Sequence, residues 1–402
     1  MGDIKSFADL IYPISEEEFF SDYYMKNHIH IRARDKYKLQ SIMTWSKLND
    51  LLNMSAFWTQ SNLKLFLDTN PISITDYCEA FGEGGSRGSL RPDPQKVNYW
   101  LSRGASIVAN DVDTLSSGLR EAADILEGEL SGKVQSNLYC SWQQHQAFPV
   151  HMDSHDVFAL HVEGEKVWRI YEGKIEEPIN HPSFNQINMN NAGEVAGELL
   201  DEVTLKPGDI LYIPRGVFHE ALASTEGCIH LSFGVTHVIG YDLLALLLEK
   251  ALEDPEFRKN MPRASSPEAQ KRTWIDGLSS KTLSILKSEE FYQSINEYQH
   301  NFKYIRGGFN LPNQKNKNKL NQEFEVIFND FEVLFINGKY LLQRGNTRVN
   351  VPDDITALVE WVIKKKYFSM DELLENFGSI DDDRIHFAVE NLQKMKVLRE
   401  KY

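Results

Sequence analysis

The sequence predicts a mixed α+β chain built around a sandwich or barrel of short strands. Three observations predict it. First, 402 residues exceed one ordinary core of about 100–200 residues, so two or three domains are expected. Second, between about Asn137 and His237 short β-rich runs alternate with clusters of Gly, Pro and Asn. Third, residues 1–135 read as mixed and Tyr241–Phe302 as helical, flanking that strand-rich region. A hydrophobic fraction of 42% and a charged fraction of 25% are those of a folded chain, which excludes wholesale disorder.

The elements follow in order. Ser15-Glu16-Glu17-Glu18 is a helix-start signal, with an acidic first turn ahead of Phe19 and Phe20. His28–Ile31 alternates like a strand. Trp45–Met54 and Asp113–Leu130 read as helices, the second with Leu115, Leu119, Ala122, Ala123 and Leu126 on one stripe. Between them Phe81–Pro94, rich in Gly, Ser, Arg and Pro, reads as a long mobile loop. The strand-rich region offers Val157–Val162, Val167–Tyr171, Ile210–Ile213 and Ile229–Val235. Tyr241–Phe302 reads as helical and opens on a leucine-rich stripe at 243–252. Asn313–Lys319 is a polar, basic linker. Beyond it, Glu332–Ile336 and Tyr340–Leu342 pair through Asn337-Gly338-Lys339, and helices follow at Asp353–Lys364, Ser369–Asn376 and Asp381–Met395.

Charge narrows the function. Lys and Arg total 43 against 58 Asp and Glu, a net −15, which argues against non-specific binding to nucleic acid or an anionic membrane and suits a basic partner. The longest apolar run, Leu243–Leu248, is too short to span a bilayer, and no secretory signal opens the chain. Three widely spaced cysteines, Cys78, Cys140 and Cys228, imply neither a disulfide framework nor a thiolate zinc site, so a reducing cytoplasm is the expected compartment.

The chemistry concentrates in Phe148–Gly173. His151 and Asp153 sit two apart, so at strand spacing both side chains reach the same face and can meet one metal ion. A second histidine closes a two-His, one-carboxylate set that leaves open positions on Fe(II). His219 is the best candidate, reached through the Lys206–Asp209 turn, an apolar strand and Pro214-Arg215-Gly216. Lys166 alternates with Trp168 and Ile170. If that face is interior, its buried ammonium needs an anion, and a dicarboxylate co-substrate would provide one.

These residues resemble the JmjC/cupin 2-oxoglutarate oxygenases, and more narrowly the ribosomal oxygenase branch that hydroxylates ribosomal proteins. The resemblance rests on Pro149-x-His151-x-Asp153, on Asp156-Val157-Phe158, on Lys166 just before Trp168, and on Pro214-x-Gly216-x-x-His219. Tyr139 and Ser232 match hydroxyl positions of that branch, and Tyr23–Arg32 resembles its opening. The resemblance implies a double-stranded β-helix (jelly-roll) catalytic domain with an N-terminal α/β extension over 1–238. It further implies a helical dimerisation module over 239–319 and a winged-helix-like domain over 320–402. It also implies His151, Asp153 and His219 as Fe(II) ligands, with Lys166, Tyr139 and Ser232 binding 2-oxoglutarate. The expected activity is hydroxylation of a protein side chain in a homodimeric enzyme, with a basic ribosomal protein as partner.

Two other readings use the same residues. One is a hydroxylase of a small molecule, a peptide natural product or a tRNA base. The other is a non-catalytic cupin sensor that regulates transcription through the winged helix. Residues 321–402 carry 15 acids against 11 bases, and the last long helix opens on Asp381-Asp382-Asp383, which a phosphate backbone would repel. Nucleic acid is therefore an unlikely partner.

Overall fold

The computed structural model describes residues 4–80, 90–142, 148–182, 192–223, 227–300, 302, 304, 306, 322–327, 331–336, 338–344, 347–395 and 397–401. The chain divides into two compact units, Met1–Gly307 and Gly308–Tyr402.

The first unit is built on two antiparallel sheets. Their strands are β1 (Ile29–Ile31), β2 (Leu63–Leu67), β3 (Ser106–Ala109), β4 (Gly132–Ser141), β5 (Asp156–Glu163), β6 (Lys166–Lys174), β7 (Leu199–Leu205), β8 (Ile210–Ile213), β9 (Val217–Ala223) and β10 (Cys228–His237). The large sheet runs β1-β8-β5-β10-β4-β3-β2 and ends on the two-residue strand Asn70–Pro71; the small one runs β7-β6-β9. Strand composition follows position. β5 is central and buried almost end to end, so it reads as a continuous apolar run. β6 packs one face inward and alternates, with Lys166, Trp168 and Ile170 buried and Val167, Arg169 and Tyr171 partly exposed. The two sheets meet through a small apolar core that joins Val157, Ala159 and Leu211 of the large sheet to Trp168, Ile170 and Val203 of the small one.

A larger core covers the other face of the large sheet. There Phe19 and Phe158 close on Tyr212 at ring distances of 5.0 and 4.9 Å. Each such buried side chain stabilises by roughly 1.5–3 kcal/mol. Helix α1 (Ser117–Leu130) lies on β4 and β10. Ser116 caps it by accepting from the Leu119 N–H, and it ends at Ser131 in the left-handed region (φ 49°). Its buried Glu127 is paired with Arg306, which also reaches Asp113 at 2.8 Å and Asp124 at 3.0 Å. Helices α2 (Gly240–Ala251), α3 (Glu268–Leu286) and α4 (Glu289–His300) complete the unit.

The structure corrects part of one expectation. Of the Phe81–Pro94 loop, residues 81–89 lie outside the described residues, but the remainder is ordered secondary structure. Leu90–Pro92 pairs as a strand with Cys78–Ala80. Pro94–Leu101 is a helix, because Asp93 accepts from the Lys96 N–H at 2.9 Å and Pro94 supplies a helical φ at the first position. Residues 183–191 are likewise outside the described set, and Ala192–Ala196 is a short helix. The Asn313–Lys319 linker and Asn337 also lie outside it.

In the second unit Glu323–Val326 pairs with Tyr367–Ser369 and Leu398–Lys401. Glu332–Ile336, Lys339–Arg344 and Thr347–Val351 form a three-stranded meander. Helices Thr356–Ile363, Met370–Asn376 and Asp382–Lys394 pack with these strands around their own core, which includes Leu358, Val362, Leu373 and Leu392.

Candidate metal and anion site

The six residues singled out by sequence converge on one cavity between the sheets. His151, Asp153, Lys166, His219, Tyr139 and Ser232 all line it. His151 and Asp153 lie on the extended segment before β5, and His219 lies on β9. The two histidines face each other across an antiparallel bridge, with N–H to O distances of 3.0 and 2.8 Å. Their rings are 4.5 Å apart. One ligand atom from each of His151, Asp153 and His219 lies within 4.8 Å of the others.

Tautomers are set by the backbone. His151 Nδ1 donates to the Pro149 carbonyl at 2.8 Å and His219 Nδ1 to the Val217 carbonyl at 3.1 Å. A carbonyl only accepts, so both Nδ1 atoms carry the hydrogen and both Nε2 atoms present lone pairs. The His219 Nε2 atom is 3.5 Å from Asp153 Oδ2. Burial, reinforced by His151, pulls His219 down to about 4, which keeps it neutral. Burial pushes the Asp153 carboxyl up, but His155, His151 and His219 together outweigh that effect and hold it below its ordinary value. The result is a neutral His219 imidazole and the Asp153 carboxylate beside the His151 ring, a donor set suited to a divalent ion.

The turn before β9 holds these groups in place. Gly216 sits at φ 82°, and a Cβ there would lie 2.1 Å from the Ile175 carbonyl oxygen. The Gly216 N–H donates to the Asp153 carbonyl at 2.8 Å, so this turn fixes the segment bearing one ligand and begins the strand bearing another. Asp156, fully buried, ties the same turn to the sheet. It accepts from the Arg215 N–H at 2.9 Å, the Tyr212 hydroxyl at 2.7 Å and His237 Nε2 at 2.9 Å.

Lys166 lines the same cavity. It is 3% exposed, and among the described residues no carboxylate pairs with it. Burial pulls its ammonium below the ordinary value. Its hydrogen-bond partner is His230, whose Nδ1 is 3.4 Å from Nζ. Tyr139 stacks on the same histidine at 4.6 Å. Sequence reading passed over His230 and Phe148 as lining residues. The available signal for His230 was its two-residue spacing from Ser232, which places both on one face of β10. The remaining histidines are elsewhere: His161 and His237 bond to Gly164 and Asp156, His155 is 4.0 Å from Asp153 outside the triad, and His145 is outside the described residues.

The chain is similar to known proteins over the segment that carries this cavity. Residues 117–243 match the JmjC domain family. The chain is 28% identical over 268 residues to the bifunctional lysine-specific demethylase and histidyl-hydroxylase NO66 of Dictyostelium discoideum, covering 64% of this chain and 49% of that protein. It is 26% identical over 265 residues to the Drosophila erecta protein of the same name, covering 63% and 38%. The chain thus spans half or less of the length of these curated relatives. Among solved structures, it resembles YcfD, a ribosomal oxygenase from Escherichia coli in complex with cobalt and succinic acid. The TM-score is 0.50 at 15% identity over 97% of this chain and 99% of that one. At that identity the likeness is one of fold, and it supports a JmjC/cupin-like α+β architecture with a large antiparallel sheet.

Proposed function

From a chain that resembles the JmjC ribosomal oxygenases, we propose an Fe(II)- and 2-oxoglutarate-dependent oxygenase that hydroxylates a side chain in a protein, a ribosomal protein being the favoured target. One observation carries the reading: a buried ammonium, Lys166, with no carboxylate partner among the described residues, lines the same cavity as a His-Asp-His donor set. A buried charge without an anion is costly, and a dicarboxylate bridging from metal to Lys166 removes that cost. The succinic acid and cobalt named with YcfD, and the histidyl-hydroxylase activity named for the NO66 proteins, support the same reading.

In this reading His151, Asp153 and His219 would hold iron, with positions left for co-substrate and oxidant. The metal with its bound 2-oxo acid supplies the oxidising chemistry that places oxygen on an unactivated C–H bond. Lys166 receives the far carboxylate, helped by the hydroxyls of Tyr139 and Ser232. Buried Trp168 lines the cavity beside His219, with ring centroids 5.8 Å apart and planes 29° apart.

Two further parts belong to the proposal. On α2, Leu244, Leu248 and Leu252 are 50%, 67% and 65% exposed and stand on successive turns, so this stripe is proposed to seat a second copy of the chain. Residues 320–402 are proposed as a winged-helix-like, protein-contacting domain, consistent with 15 acids against 11 bases over 321–402.

The test is incubation of the full chain with Fe(II), 2-oxoglutarate and a set of ribosomal proteins, read by intact mass. A gain of one oxygen atom, absent with Asp153→Asn, supports the hydroxylase. Loss of a methyl group from a methyl-lysine substrate instead makes it a demethylase. Turnover with free amino acids or tRNA alone removes the protein substrate.

A further inference from the structure

Lys166 does not face the cavity alone. His230 stands on β10 opposite Tyr139 of β4 and His161 of β5. Its ring lies parallel to Tyr139, 6° between planes, and its edge meets Trp168 at 5.5 Å and 83°. Aromatic contacts on two sides therefore set the ring's orientation, and the residue is 3% exposed.

The hydrogen-bonding roles follow from the chemistry of the pair. An ammonium has donors only, so His230 Nδ1 accepts from Lys166 Nζ and the ring hydrogen sits on Nε2. Burial, then the Lys166 charge, hold His230 well below its ordinary value, so it is neutral. A neutral acceptor aims the ammonium without discharging it. A carboxylate in the same place would pair with Lys166 and cancel the field available to an incoming anion.

We propose that His230 is a positioning residue for Lys166: it fixes how far the ammonium stands from the His151–Asp153–His219 set and so selects 2-oxoglutarate over 2-oxo diacids one carbon shorter or longer. The inference rests on the metal and anion assignments of the proposed function and deepens them. It needs no new reaction step. A mobile ammonium would follow a shorter or longer diacid, whereas one held by a stacked ring cannot, and length becomes the selected property.

The experiment uses the full chain loaded with Mn(II). Calorimetry measures binding of 2-oxoglutarate, oxaloacetate and 2-oxoadipate to wild type, His230→Phe, His230→Asn and Lys166→Met. His230→Phe keeps the stack and removes the acceptor; His230→Asn keeps an acceptor. With His230→Phe, 2-oxoglutarate should bind roughly 10-fold to 100-fold more weakly and its advantage over both homologues should shrink, while Mn(II) affinity holds. His230→Asn should recover most of that loss. His230→Leu replaces the Phe variant if the latter does not fold. Wild-type affinity and discrimination in the Phe or Leu variant, alongside lost binding in Lys166→Met, overturns the role of His230 and leaves the anion anchor standing. Retained binding in Lys166→Met overturns the anchor itself.

Discussion

Replacing Lys166 by methionine should stabilise the ligand-free protein and remove its response to 2-oxoglutarate. The side chain is 3% exposed, among the described residues no carboxylate pairs with it, and burial already pulls its ammonium down. Methionine fills a similar volume without the charge, so the folded state no longer bears the desolvation cost. A gain of about 1–3 kcal/mol is expected. At about 2–4 °C per kcal/mol, that is a rise of roughly 2–12 °C in Tm. The ligand side moves the other way. Losing a buried charge-assisted pair costs about 2–5 kcal/mol, a drop of roughly 30-fold to several-thousand-fold in 2-oxoglutarate affinity. The gain also depends on pH. The folded ammonium is weaker than the free one, so its cost is present at neutral pH and fades as pH rises towards the unfolded value of 10.5. Differential scanning calorimetry with and without Mn(II) and 2-oxoglutarate, at pH 7 and pH 9, reads all three effects. A methionine variant that is less stable than wild type without ligand, yet keeps the full ligand-induced rise in Tm, refutes the reasoning.

Gly216→Ala places a Cβ 2.1 Å from the Ile175 carbonyl at φ 82°, so it should cost more than about 2 kcal/mol and weaken divalent-metal binding together with it. Denaturant unfolding and Mn(II) titration check this; a stable variant with wild-type affinity would show the turn to be dispensable. His161 is held near pKa 4, first by burial, against an ordinary value of 6.5. Its neutral form is therefore favoured in the fold, and its contribution is complete above pH 6.5 and lost as pH falls from 6.5 to 4, by roughly 3 kcal/mol. The slope of stability against pH in that window should flatten in His161→Phe, and an unchanged slope would assign the loss to other groups. Leu248→Glu puts a charge on the most exposed turn of the α2 stripe and should yield a monomer in light scattering at unchanged Tm. A wild-type chain that is already monomeric at micromolar concentration removes the proposed second copy.

Local chemistry made much of this protein legible before any coordinates. Ser15 and Ser369 cap helices where the sequence places a helix start, because a side-chain oxygen satisfies backbone N–H groups one turn away and needs nothing distant. The central strands β5 and β8 were visible as apolar runs, since burial on both faces leaves no room for alternation. The spacing of His151 and Asp153, and the Gly216 turn before His219, carried the metal set, because each is a short-range constraint.

Elsewhere the sequence was ambiguous, and only the tertiary structure decided. Leu199–Leu205 became a strand by pairing along β6, a contact its own alternation signals weakly. Leu90–Pro92 became a strand because Cys78–Ala80 lies beside it. The alternation Lys166-Val167-Trp168 fits either face of a sheet, and it is the packing of β6 against β5 and β8 that turns Lys166 inward. His230 carried only one local signal, its two-residue spacing from Ser232. Its proximity to Lys166 arises from the pairing of β10 with β4 and β5, which brings residues 64 positions apart to 3.4 Å. Short-range hydrogen-bonding geometry is written in neighbouring residues, whereas the inside of a barrel exists only once distant strands have closed on one another.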